Sequence, residues 1–252
     1  MSRTVSIMGG GWLVVGWFAV LCQAAPITLP PGNSGAPGNA RNDLPFNNIG
    51  SSSNRVSQVF SAAGFPFPGL ITEIRFRADE NPSYGESFTQ SIPRLRIDLS
   101  TTAAAPDALS LTFADNVGPD VMTVFDGPIF LSGNNVLLPD GTTEFSIVIP
   151  LSTPFLYNPA DGNLLMDIRM YGGPGLLTTT FDAQSVVGDG TSRIHTGLFG
   201  DADQPVALGS DSLGLVTQFE IEPVPVPEPG ALVALGLAML AVGRRLVLRR
   251  TR

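Results

Sequence analysis

Between residues 55 and 222 the chain alternates apolar and polar positions with a period of two, the pattern of strands with one buried face. In residues 70–78, Ile74, Phe76 and Ala78 fall on one side and Glu73, Arg75 and Arg77 on the other. Residues 92–99 set Leu95, Ile97 and Leu99 against Arg94, Arg96 and Asp98, and residues 163–171 set Leu164, Met166, Ile168 and Met170 against Asp167 and Arg169. Residues 213–221 close the series, with Leu215, Phe219 and Ile221 opposite Gln218, Glu220 and the following Glu222. Shorter runs at 56–60, 121–125, 128–131, 143–149, 177–181 and 191–199 read as further strands. Asp126-Gly127 and Asp140-Gly141, each between apolar runs, are hairpin-turn signals. Residues 101–120 are long and uneven, with room for one helical turn at 103–107.

About nine or ten short strands, Gly/Pro/Asn/Asp turns and almost no helical period predict an all-β domain. The expected form is an antiparallel β-sandwich, jelly-roll-like, over residues 55–222. A parallel β-helix is the alternative, but no repeat of fixed period is seen. If residues 70–78 pair with 92–99, their wet faces bring arginines together. Such a stripe reads as a solvated face, with Glu73 and Asp98 as partners, ahead of an anion site.

The ends differ from the body. Residues 25–54 are rich in Pro, Gly, Asn and Ser and read as a flexible arm, docked by Phe46 and Ile49. Before it, Arg3, the apolar stretch 7–21 and Cys22-Gln23-Ala24 make a signal peptide, 1–24, that a signal peptidase would cut after Ala24. After the body, prolines 223, 225, 227 and 229 keep a linker extended. Residues 230–242 carry no charge, and Arg244, Arg245, Arg249 and Arg250 follow. A spanning helix takes about 20 apolar residues, so 230–252 is a short transmembrane helix whose first arginine pair snorkels. The arginines hold the cytoplasmic side and put the body outside.

Pro227-Glu228-Pro229, the apolar segment and the closing arginines together resemble the PEP-CTERM family of exported bacterial proteins. The resemblance covers about the last 28 residues. It implies that an exosortase, a membrane cysteine protease, recognises Pro227, Glu228 and Pro229 and removes or transfers the tail. The arginines would be the membrane stop. It also implies passage through the inner membrane to the cell surface or the extracellular matrix, in bacteria that make exopolysaccharide. The runs Asn54–Phe60, residues 112–116 and residues 211–219 resemble an uncharacterised group of such proteins, which implies one folded unit and no particular chemistry.

Charge and composition narrow the chemistry. All fourteen basic residues are Arg. Residues 25–226 hold eight Arg against twenty-one acids, a net charge of −13, which repels nucleic acid. The one Cys lies in the signal, so the mature chain has no thiol chemistry and no disulfide to hold it. The one His, His195, cannot supply a zinc site or a hydrolase triad by itself and reads as structural. Glycoside hydrolysis needs only two carboxylates. Most acids sit in turns, however, and Tyr84, Tyr157 and Tyr171 are the only Tyr or Trp side chains after Trp17 available to stack sugars. No cofactor is expected. Calcium is the one ion left open, through the oxygen-rich loops Asp115-Asn116…Asp120, Asp161-Gly162-Asn163 and Asp201-Ala202-Asp203-Gln204. The expected role is therefore a non-enzymatic surface or matrix protein. The alternative is a carbohydrate-binding module of jelly-roll form with structural calcium.

Overall fold

The computed structural model describes residues 25–46, 53–81, 87–172, 179–198 and 200–224. Its strands are β1 (Ala25–Leu29), β2 (Ala40–Asn42), β3 (Asn54–Phe60), β4 (Gly69–Phe76), β5 (Phe88–Thr102), β6 (Met122–Gly133) and β7 (Ile147–Tyr157), followed by β8 (Asn163–Tyr171), β9 (Phe181–Ser185), β10 (Thr191–His195), β11 (Gly209–Asp211), β12 (Leu213–Leu215) and β13 (Thr217–Pro223). They form a four-stranded sheet in the order β1-β13-β4-β7, a six-stranded sheet β11-β10-β3-β8-β5-β6, and a three-stranded sheet β12-β9-β2. Every strand pairing is antiparallel, which overturns the β-helix alternative. Among the described residues no helix is long and apolar enough to cross a membrane. The expected signal helix at 1–24 and transmembrane helix at 230–252 lie outside them.

The period-two faces become the core. Ile27, Ile71, Ile74, Phe76, Ile149, Phe219 and Ile221 of the four-stranded sheet share one buried cluster with the six-stranded sheet's Phe60, Leu95, Ile97, Leu99, Leu164, Met166 and Ile168. Phe60 meets Phe219 edge-on across the two sheets, with ring centroids 5.1 Å apart. Removing each such side chain from water stabilises the fold by roughly 1.5–3 kcal/mol.

Four expectations change. The segment read as an arm is built into the sheets as far as residue 46. β1 pairs with β13, β2 pairs with β9, and Phe46 is fully buried against Phe76 and Phe181. Its polar, Gly-rich sequence hides this because the anchors are backbone contacts. The Gly38 amide donates to Asp182 at 2.8 Å, and a Cβ on Gly38 would stand 2.0 Å from the Ala183 carbonyl oxygen. Second, Asp126-Gly127 does not turn. β6 continues through it, with Asp126 opposite Arg96 and Gly127 opposite Leu95 and a register shift on either side. Gly127 is not in the left-handed conformation such a turn requires, and Pro128 is tolerated because β6 is an edge strand. Asp140-Gly141 does turn, with Gly141 at φ +86° and its amide bonded to the Leu138 carbonyl. Third, β4 and β5 do not pair; they belong to different sheets. Fourth, the strand expected over 213–221 breaks at Val216, so that β12 and β13 serve two sheets.

The far face of the six-stranded sheet is also covered. Residues 103–121 and 205–208 lie over it, and Val59, Leu165 and Ile194 of the sheet pack with Leu109, Phe113 and Ala207 as a second, smaller core. A short 3-10 turn, Phe113–Asn116, is pinned by Asn116, whose side chain bonds Ser110 in both directions. Gly118 then approaches so closely that a Cβ there would lie 1.5 Å from the Thr101 carbonyl oxygen. Finally, β1 and β13 run side by side with Ala25 opposite Ile221, so the chain enters and leaves the body at one end of the four-stranded sheet.

Candidate functional site

The strand alternation that buries Leu95, Ile97 and Ile168 sends the charged residues of β5 and β8 to the covered far face. Pairing register then sets them in rows. Arg55, Arg169, Arg96 and Asp126 stand abreast on β3, β8, β5 and β6; the next row is Ser57, Asp167, Asp98 and Thr123. Three arginines abreast would repel. The aspartates one row along resolve this. Asp167 takes Arg55 through two bonds (2.8 and 2.9 Å), Ser57 at 2.6 Å and Arg169 at 3.0 Å. Asp98 takes Arg96 at 3.0 Å and Thr123 at 2.6 Å, with Arg169 at 3.9 Å. Arg55 also lies 4.0 Å over the Phe113 ring. One row further out, Arg94 holds Asp126 through two bonds and covers the Tyr171 ring at 4.5 Å. The Tyr171 hydroxyl donates to Asp203.

This network floors a hollow of about 240 Å³. Its polar wall is Arg96, Asp98, Ser100, Asp167 and Arg169; Val117, Val121 and Leu165 supply the apolar remainder. The aspartate side chains are 6% and 4% exposed, whereas Arg96 and Arg169 are 31% and 20% exposed. The carboxylates are the fixed base and the guanidinium groups the accessible surface. The expected arginine stripe therefore exists in part. Arg94 and Arg96 reach solvent, and Glu73 and Asp98 do partner Arg75 and Arg96. Arg77, expected outward, is fully buried instead. Its Nε bonds Asp182 at 2.7 Å, its Nη2 bonds the Ala36 carbonyl, and it lies 4.8 Å from the Phe145 ring. Burial pushes the Asp182 carboxyl up to about 6, against the pull of Arg77.

His195 stands on β10, its Nδ1 accepting the Gly197 amide and its Nε2 3.4 Å from Asp211, which Arg193 also grips at 2.8 Å. Burial raises the Asp211 carboxyl, but the bonds from His195 and Arg193 outweigh it and hold the group well below the usual carboxylate range. A depressed carboxylate contributes stability that is present above its unfolded value, about 3.9, and lost as pH falls below that. Asp211→Asn is accordingly expected to melt below the wild type at pH 7, with the gap closing between about pH 4 and pH 2. Thermal melts across that range check it, and a gap independent of pH would refute the assignment.

The sorting residues Pro227, Glu228 and Pro229, the arginines 244, 245, 249 and 250, and the cleavage residue Ala24 lie outside the described residues. Two calcium candidates meet: Asp115, Asp120 and Asp161 line one cavity of about 390 Å³. Each has an oxygen engaged locally, Asp120 by the Thr101 amide, Asp115 by Ser110 and Asp161 by Asn158. The third loop is elsewhere, with Asp201 capping the Asp203 amide. Among the described residues, no three His, Cys, Asp or Glu side chains converge to hold a metal. Asp98 and Asp167, expected on the outward faces of strands, do lie on strands but are buried, as is Asp182 on β9. The sequence signal for them was opposite charge at outward positions of neighbouring strands. Compared with protein-family models, curated proteins and solved structures, the chain returns no significant match.

Proposed function

We propose that the chain is an exported, non-enzymatic bacterial surface or matrix protein, sorted through a PEP-CTERM tail by an exosortase and resident with exopolysaccharide. The observation that carries this reading is the C-terminal order of Pro227-Glu228-Pro229, an uncharged 230–242 and five arginines from 244 onward. The fold is compatible in two respects. β13 ends at Pro223, where the proline linker begins, and β1 pairs with it along its length. Both terminal segments thus join the body at one end of one sheet. The common core of the four- and six-stranded sheets supports a sandwich of jelly-roll form.

Intact-mass analysis of protein from its native host tests the sorting. The wild type is expected to lack the mass of the C-terminal helix, and Glu228→Ala to retain it. A full-length tail in both would make 230–252 a plain anchor and end the exosortase reading.

A second reading, a carbohydrate-binding module, is favoured by one observation: the mixed-charge hollow over β5 and β8.

A further inference from the structure

We infer that this hollow binds a neutral, polyhydroxylated ligand the size of one sugar residue. The inference rests on the second reading and is independent of the sorting tail. Charge decides the class. The wall presents two guanidinium groups and two carboxylates, Arg96 and Arg169 with Asp98 and Asp167. The two buried carboxylates beneath offset the two accessible guanidinium groups, so the wall carries no net charge to select an anion or a cation. The carboxylate oxygens are taken by Arg55, Ser57, Arg96, Thr123 and Arg169, so the groups left to a ligand are donors, and hydroxyl oxygens accept from them without bringing charge into the hollow.

Capacity remains for such bonds. Arg96 spends Nε on Asp98 and Nη2 on Thr123, and its Nη1 has no partner among the described residues. Arg169 gives Nε and Nη2 to Asp167, its Nη1 lies a long 3.9 Å from Asp203, and the side chain also bonds Tyr171. Ser100 accepts the Gly118 amide at 3.2 Å and keeps its hydroxyl proton to donate. These groups sit on two interior strands and are locked by ion pairs, so little side-chain freedom is lost on binding. Val117, Val121 and Leu165 offer an apolar surface for a C–H face. A volume of about 240 Å³ falls below the roughly 300–1,000 Å³ of sites for drug-sized ligands, which fits one ring and not a chain.

The test uses the full chain in a detergent without a sugar headgroup and saturation-transfer NMR with D-glucose, D-galactose, D-mannose, N-acetyl-D-glucosamine and D-glucuronate. At least one neutral sugar is expected to bind saturably. Arg96→Ala should weaken it about tenfold or more, the loss of one charge-assisted bond. Val121→Trp, at a half-exposed position on the rim, should block it with every ion pair intact. Arg94→Ala, on the same strand face but outside the hollow, should leave binding within about twofold, and melting curves verify that each variant is folded. Saturable binding by glucuronate alone would overturn the neutral class. Sugar binding that survives both Arg96→Ala and Val121→Trp would overturn the site and leave the module reading standing. No binding by any sugar would end both.

Discussion

Asp167→Ala is expected to lower the melting temperature by about 6–20 °C. The side chain is 4% exposed and holds Arg55, Ser57 and Arg169 together. Its removal strands the Arg55 guanidinium, 8% exposed, in the covered face without a counter-charge. Breaking one partner of a buried pair costs about 3–5 kcal/mol. For a body of this size each kcal/mol shifts melting by roughly 2–4 °C. The same physics gives a control. Replacing both members by apolar residues of similar volume, Arg55→Met with Asp167→Leu, should recover much of the loss, because the desolvation cost disappears along with the attraction. A loss below about 1 kcal/mol in the single variant would mean that the Arg55–Asp167 pair does not hold the rows.

Arg77→Met should cost a similar amount, about 3–5 kcal/mol, and should do so in a pH-dependent way. Arg77 is the cation for Asp182, whose carboxyl burial already lifts to about 6. Without Arg77 that carboxyl climbs further. An acid whose folded value exceeds its unfolded one, about 3.9, binds more protons when folded, so stability falls as pH rises between the two values. The variant's deficit should therefore be larger at pH 8 than at pH 5. Denaturant midpoints at both pH values check this, and an equal deficit would place the damage in lost packing against Phe145.

Strand positions were legible in most stretches where apolar residues alternate over five or more positions, residues 213–221, which break at Val216, being the exception. Residues 163–171 are the clearest case, since β8 occupies the same span. What alternation could not reveal is which strands are neighbours. Residues 70–78 and 92–99 have the same pattern, yet one face of β4 is half-buried and the far face of β5 lies partly under residues 103–121. Outward on a strand therefore meant half-buried for Arg75 and buried for Asp98 and Asp167. The hollow was half visible in the same way. Arg96 and Asp98 stood out as a charged stripe, but the arrival of Asp167 and Arg169 beside them depends on the pairing of β5 with β8, which local sequence does not encode. Residues 25–46 were opaque for another reason: their order comes from two short strand pairings and a few scattered buried side chains, Ile27, Leu29, Leu44 and Phe46, too few to make a periodic signal.

The adjacency of β1 and β13 also imposes a sequence of events. β1 has one partner in its sheet, and that partner is the last strand made. A chain made from its N-terminus presents Ala25–Leu29 early, and the strand must wait, unpaired, for nearly two hundred residues to follow. The four-stranded sheet therefore closes last, on a contact as distant in sequence as this body offers, and such closures are slow. Until Thr217–Pro223 has been made, Ile27 and Leu29 remain without their place in the core.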